Sequence, residues 1–264
     1  MKAARFILLQ INGFFPFLYP ARHVFRNFNF LKGAFLYYKD LNKYITQDRS
    51  QHTKFPFTLI NSYPILFDRF EDAGEVPKHY FHMDLWAARK VYKSGVKRHY
   101  DIGSRLDSFI SHCLVFCDIV MLDVRPLSYK IKGLNFIQTD AMRMKDIHSN
   151  SIQSLSTLHA IEHFGLGRYG DPIDVLGYKK AIDEIKRIIK QGGNLYFATP
   201  IGRQRVEFNA HRVFNPKYII SLFEGFTLKE FSIVDDNNDY IENADVDKFV
   251  KANYSCGLFH FVKK

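Results

Sequence analysis

Apolar and polar positions follow two different regimes along the chain, and they change near residue 97. Before it the sequence is aromatic and irregular, with one clear amphipathic stretch. In "HMDLWAARKVYKSG", Leu85, Ala88, Val91 and Tyr92 recur at helical spacing and Gly95 closes the run, which predicts a helix. After residue 97 short apolar runs alternate with amphipathic ones. "KRHYDIG", "CDIVMLDV", "LNFIQTD", "SIQSLSTLHA", "GGNLYFATP", "FTLKEFSIVDD" and "SCGLFHFVKK" read as seven strands. "SRLDSFISHCLV", with Ser104 as its cap, "PIDVLGYKKAIDEIKRIIK", with Pro172 in its first turn, and "NPKYIISLFEG" read as helices. Tyr178, Ile182, Ile185 and Ile189 share one helical face.

Strands alternating with helices imply an α/β, doubly wound, mostly parallel seven-stranded sheet, ending in an antiparallel edge. The predicted organisation is an aromatic-rich helical extension over residues 1–96 packed on an α/β domain over residues 97–264. Ligands of such sheets bind outside the carboxyl ends of the strands, where strand order reverses. Strand ends are therefore where chemistry is expected.

The first strand ends in Asp101-Ile-Gly103-Ser104, the second in Asp123 and the third in Asp140-Ala141. A glycine at the first turn lets a ligand approach the backbone. A carboxylate twenty residues later suits a pair of ribose hydroxyls, and a third suits an adenine amino group. The further glycines of a dinucleotide fingerprint are missing, since Arg105 and Leu106 follow Ser104. That argues against a pyrophosphate and for a nucleoside without one, with S-adenosylmethionine as the natural candidate.

With "YDIGS", "LDVRP", "QTDAM", "SLSTLHAIEH" and "IKRIIKQGGNLYFATP" in this order, residues 97–200 resemble the class I S-adenosylmethionine-dependent methyltransferases. "FHMDLWAA", "DIGSRLDSF", "HAIEHFGLGRYGDPID" and "FNAHRVFNP" are similar to an uncharacterised methyltransferase-like family, a domain of unknown function found in bacterial surface-polysaccharide gene clusters. That resemblance spans about residues 70–235. It implies a Rossmann-like methyltransferase fold with S-adenosylmethionine as cofactor, bound by Asp101, Gly103, Ser104, Asp123, Asp140 and Ala141. The implied activity is O-methylation of a sugar or other small hydroxylated substrate in surface-glycan biosynthesis. The rival expectation is a non-catalytic relative serving as a binding or scaffold module at a membrane-associated glycan assembly.

His159-Ala-Ile-Glu162-His163 has the residue order of an inverted zinc-peptidase motif. A strand precedes it, Gly165 follows two residues later, and no adjacent third ligand completes a site, so no metal is expected. At the end of the fourth strand these residues instead offer acid–base groups. Transfer to a hydroxyl needs a base, and a histidine titrates in the right range. His159 is the first candidate, His163 the second and His211 a rival, with Glu162 as an orienting group.

"GLGRYGDP" then reads as a shaped loop whose tip, Arg168 and Tyr169, reaches a substrate. Arg203, Arg205 and Arg212 in "TPIGRQRVEFNAHRVFNP" add cationic groups that suit a phosphorylated, nucleotide-linked or acidic sugar.

Charge fits that picture. Lys and Arg total 37 against 27 Asp and Glu, a net +10 that favours anionic partners. A base-modifying motif after the fourth strand is absent, so nucleic acid is not the expected partner. Cys113, Cys117 and Cys256 read as reduced, buried thiols of a cytoplasmic protein. "ARFILLQINGFFPFLYPAR" near the N-terminus is broken by Gln10, Asn12, Gly13 and Pro16. A spanning helix needs about 20 apolar residues. The segment reads as an arm over the core or as an interfacial contact with the inner face of the membrane.

Overall fold

A computed structural model describes residues 19–264 apart from positions 52, 53, 56, 75 and 77, and apart from the side chains of 19–28, 50, 51 and 61. The N-terminal apolar segment expected to act as an arm or membrane contact lies largely outside the described residues. Among the described residues no helix is long and apolar enough to cross a membrane.

The chain divides into two compact units, Met1–Glu75 and Val76–Lys264. In the first, helix α1 (Tyr19–Gln51) is followed by a return segment with short turns at Leu59–Asn61 and Asp68–Phe70. The two are tied by Tyr37 with Ser62, by Arg69 donating to Asp40 at 2.6 Å, and by the Tyr44–Phe57 ring contact.

The boundary thus falls at residue 75/76 and not at 96/97. Helix α2 (Lys78–Ser94) belongs to the second unit, because Met83, Trp86, Ala87, Ala88 and Val91 are buried in its core. Of the predicted apolar face, Ala88 and Val91 are buried, Leu85 is half-buried and Tyr92 is exposed, because the buried face turns toward Met83, Trp86 and Ala87; Gly95 ends the helix at φ +69°.

Eight strands form the main sheet: β1 (Arg98–Ile102), β2 (Asp118–Asp123), β3 (Leu134–Gln138), β4 (Ile152–Leu158), β5 (Ile189–Ile201), β8 (Phe226–Val234), β9 (Tyr240–Ile241) and β10 (Ser255–Lys263). Their order is β3-β2-β1-β4-β5-β10-β8-β9. The five strands β3 to β5 pair in parallel, and β10 is antiparallel to both β5 and β8. The mostly parallel, doubly wound reading holds, with one strand more than the seven expected. The extra one, β9, is two residues long, too short to leave an alternating pattern. β6 (Arg205–Glu207) and β7 (His211–Val213) make a separate hairpin.

Period-two alternation splits the core. Leu195, Phe197, Phe259 and Phe261 face one layer, with α3 (Gly177–Ile188) and α4 (Pro216–Leu222). Tyr196, Ala198, Cys256 and Leu258 face the other, with α2 and Phe109, Ile110 and Cys113. Two helix starts differ from expectation. Helix α3 begins at Gly177, so Pro172 lies outside it. Asp171 and Asp174 instead accept backbone N–H bonds from Gly165 and Leu176 and hold residues 165–176 as a loop. Ser104 is no cap, since its N–H and hydroxyl both go back to Asp101. The segment behind it is a wide turn (Leu106–Ile110) with one helical turn (Ser111–Cys113).

Beneath that turn runs a buried polar chain. His99 sits between the Ser154 and Ser156 hydroxyls at 2.8 and 2.9 Å, and Ser156 donates to Asp101. Complete burial pushes the His99 pKa down to about 3, so the ring stays neutral and serves one serine as donor, the other as acceptor. The unfolded chain binds that proton near the ordinary value of 6.5. Stability from this group is therefore full above that value and falls as pH drops below it, by about 2 kcal/mol at pH 5. Thermal melts of His99→Asn against the parent should show a lower Tm at pH 7.5 but a flatter slope from pH 7 to 5. Parallel slopes would contradict the assignment.

Candidate functional site

Strand order reverses between β1 and β4, and a cleft opens there at the carboxyl ends of the parallel strands. It has about 570 Å³ of space, part of it open to solvent. β1 contributes Ile102 and the turn after it Gly103, β2 contributes Leu122 and Asp123, and the turn after β3 contributes Asp140, Ala141 and Met142. Ala160 and Phe164 close the far wall. A second, wider cleft adjoins it, lined by His79, Tyr80, Glu162, Arg168, His211 and Tyr254 among others. Gly103, Arg125, His159, His163 and Tyr169 line both.

Gly103 is at φ +75°, and a Cβ there would meet the Ala160 Cβ at 3.1 Å. Only glycine gives this turn with the cleft left open. Asp101 is not in the cleft. It lies fully buried below the turn, where it accepts from the Ser104 N–H at 2.9 Å and hydroxyl at 2.7 Å. Burial raises its pKa to about 6 against these donors. Asp101 and Ser104 hold the turn; Gly103 presents it.

Asp123 stands at the end of β2 as expected, but with a partner that sequence reasoning passed over. Arg125 donates to it from the backbone at 2.8 Å, from Nε at 3.0 Å and from Nη2 at 2.7 Å. The guanidinium also lies over the Tyr169 ring at 4.7 Å. The Arg125 side chain is half exposed but Asp123 is only 7% exposed, so the carboxylate needs other donors in place of Arg125 when it is released. Asp140 uses Oδ1 to accept from Met142 N–H at 2.8 Å.

After β4 the chain makes a tight turn. His159 adopts φ +53°, a conformation rare outside glycine, and Ile161–His163 form one 3-10 turn. Glu162 is thereby driven inward and is 1% exposed. A charge buried this deeply has to be paired. His159 Nδ1 meets Glu162 Oε1 at 2.7 Å, and Thr199 Oγ1 approaches Oε2 at 3.4 Å. Burial disfavours the His159 charge, but Cys256 and Glu162 beside it hold its pKa well above the ordinary value. Burial likewise opposes the Glu162 charge, and His159 brings that pKa down. His159 and Glu162 are a buried ion pair, and a protonated His159 has no lone pair for a substrate proton.

His163 is the opposite case. Its Nδ1 donates to the Ala210 carbonyl at 2.7 Å, which fixes the tautomer and leaves Nε2 as the lone pair. Burial lowers its pKa and outweighs Glu162, whose Oε1 is 3.8 Å from Nε2. A neutral, oriented imidazole at the junction of the two clefts has the character of a general base. His211 lines only the wider cleft. Its Nε2 lies 3.0 Å from Glu207 Oε2, off the line of a hydrogen bond.

The loop 165–176 brings Arg168 and Tyr169 to the clefts; Arg168 donates to Ala210 O at 2.8 Å. Arg203, Arg205 and Arg212 are not among the cleft-lining residues. Arg205 bonds Glu207 and the carbonyls of Arg203 and Asn253, while Arg212 donates to Phe164 O at 2.7 Å and stacks on Tyr178. Cationic lining of the wider cleft comes instead from Lys78, Arg105, Arg125 and Arg168. Arg105 occupies the position where a second glycine was looked for.

One family profile, DUF268, described as a Caenorhabditis protein of unknown function, matches residues 121–255, just over half of the chain. The chain belongs to the DUF268 family. Its fold recurs in solved structures at low identity. One is the 4+2 cyclase SpnF, at 14% identity and TM-score 0.51, covering 69% of this chain and 80% of that one. Another is 1,6-didemethyltoxoflavin-N1-methyltransferase from Burkholderia thailandensis with bound S-adenosylhomocysteine, at 10% identity and TM-score 0.51, covering 69% and 78%. No curated protein matches the chain. Identities this low establish the fold of this DUF268 member, and the two named chemistries, a cyclase and a methyltransferase, differ on that one fold.

Removing one partner of a buried ion pair leaves the other uncompensated, at a cost of about 3–5 kcal/mol. Glu162→Ala should lose stability on that scale in denaturant unfolding. A change below about 1 kcal/mol would mean that His159 carries no charge in the folded protein.

Proposed function

We propose that this DUF268 protein is an S-adenosylmethionine-dependent methyltransferase acting on a hydroxyl of a small substrate. The observation that carries the reading is the pair of joined clefts at the switch point. One is walled by Gly103, Asp123 and Asp140, and the other meets it at His163. The residues fit the cofactor. The Gly103 turn leaves space that a Cβ would fill, Ile102, Leu122, Ala141 and Met142 give apolar faces, and two carboxylates mark the strand ends. When bound, the cofactor supplies a methyl group activated by its positively charged sulfur.

The protein's own residues do the rest. Asp123 accepts from ribose hydroxyls once Arg125 turns away, and Asp140 with the Ala141 backbone reads the adenine edge. His163 Nε2 would take the proton of the acceptor hydroxyl as that oxygen receives the methyl group. Glu162, 3.8 Å from that nitrogen, stabilises the charge that His163 gains. Lys78 and Arg168, with Arg105 and Arg125 that already hold Asp107 and Asp123, favour an anionic acceptor. We infer a nucleotide-linked or acidic sugar, in keeping with the resemblance to proteins of surface-glycan gene clusters.

One observation favours a non-catalytic reading: the Asp123 carboxylate already holds the Arg125 guanidinium. Calorimetric titration with S-adenosylhomocysteine tests the cofactor site. Saturable binding weakened at least about tenfold by Asp123→Ala is expected. No heat at millimolar ligand would overturn the reading. Turnover over a panel of nucleotide-linked sugars separates the two readings, since a scaffold binds without it. In the enzyme, His163→Gln should keep cofactor affinity and lose about 10²–10⁴ in rate. His159→Gln retaining no activity while His163→Gln stays fully active would reassign the base.

A further inference from the structure

His79, His159 and Cys256 come from α2, the end of β4 and β10, and they converge in the wall of the wider cleft. His79 Nδ1 and His159 Nε2 are 3.2 Å apart with ring planes only 8° apart. Cys256 Sγ joins them, and all three ligand atoms lie within 4.8 Å of one another. We propose that these three atoms form a binding site for a zinc-type divalent cation beside the nucleoside cleft, whose lining shares His159 with it.

Geometry supports the donor set. Two imidazole nitrogens on a tetrahedral zinc, at about 2.0–2.1 Å each, stand about 3.3 Å apart. The ligand types, two imidazoles and one thiol, are those that zinc and its borderline-soft neighbours prefer over magnesium or calcium. Outer partners are in place as well. Glu162 Oε1 holds the far nitrogen of His159 at 2.7 Å, the carboxylate–histidine–metal arrangement that fixes a ligand's tautomer and raises its basicity. His79 is held on its other side by the stacked Tyr254 ring, 5.3 Å between centroids, and by the Tyr254 backbone.

The cation takes the place of the proton that otherwise lies between the two imidazoles and of the Cys256 thiol proton, and binding releases both. His79 and His159 line the wider cleft whereas Cys256 has no exposed surface. The buried thiol is therefore suited to anchor a metal and not to attack a substrate. Three protein ligands leave a fourth position on the cleft side for water or a substrate oxygen. The residue order His-x-x-Glu-His is not what builds the site. Its second histidine points to Ala210, and its carboxylate orients rather than ligates. The missing ligands lie about 80 residues before and 100 after, across the sheet.

The test uses the full chain, stripped with a chelator and titrated without S-adenosylmethionine, so that its outcome is independent of the methyl-transfer reading. Zinc titrated by calorimetry should bind at one equivalent. Cobalt(II) should give a tetrahedral visible spectrum with a thiolate-to-metal charge-transfer band. Cys256→Ser should abolish that band. His79→Ala should weaken binding at least tenfold and Glu162→Gln by about 10–100-fold, while exposed His112→Ala leaves all of it unchanged. Melting of each stripped variant checks that it is folded, and a zinc-dependent rise in Tm for the parent gives a second readout. Absence of binding at millimolar zinc, or a charge-transfer band that survives Cys256→Ser, would overturn the proposal.

Discussion

A single buried carboxylate organises this site. Glu162 lies at the first turn after β4 with 1% of its surface exposed, and an ionised group in that position must find a positive partner within hydrogen-bond reach. His159 meets the need only by taking φ +53°, which directs the chain into the 3-10 turn and sets His163 facing Ala210. Arg212 braces the same turn from beneath, donating to the Phe164 carbonyl. The positions of both cleft histidines thus follow from one electrostatic requirement, and their protonation states diverge because of it.

That divergence gives the site its chemistry. Two histidines four residues apart differ in charge: His159 is an ion-pair cation and His163 a neutral base with a fixed tautomer. Separating the roles this way puts a proton acceptor where the two clefts meet and leaves the other imidazole beside His79 and Cys256, where a cation can replace its Nε2 proton. The parallel half of the sheet supplies the complementary part. Gly103, Asp123 and Asp140 sit at three successive strand ends because β1, β2 and β3 run side by side in parallel. A His99–Ser156–Asp101–Ser104 chain keeps the glycine turn in register from below.

Strand ends were the legible part of this sequence. Alternation of apolar runs located seven of the eight main-sheet strands, and the acidic residues closing the second and third runs marked the cleft. Asp101 was misjudged because a buried acceptor and a ligand-facing one look alike in sequence; only the inward path of Ser104 distinguishes them. Arg203, Arg205 and Arg212 drew attention by charge, yet backbone carbonyls nearby claim two of them, an interaction without any spacing signature. Arg105, read only as a missing glycine, and Arg125, given no role, line the clefts. His79 and Cys256 could not be joined to His159 at all, since the sheet brings them together from far ends of the domain. The 75/76 boundary was equally hidden, because an amphipathic helix does not declare which core it packs on.

The most direct measurement is a crystal structure of the protein soaked or co-crystallised with S-adenosylhomocysteine. The account predicts the nucleoside in the switch-point cleft, ribose on Asp123, adenine beside Asp140 and Ala141, and Arg125 turned off Asp123. It also predicts the ligand sulfur on the side facing His163. An empty cleft at saturating ligand, or a nucleoside bound elsewhere with the Asp123–Arg125 pair intact, would contradict it.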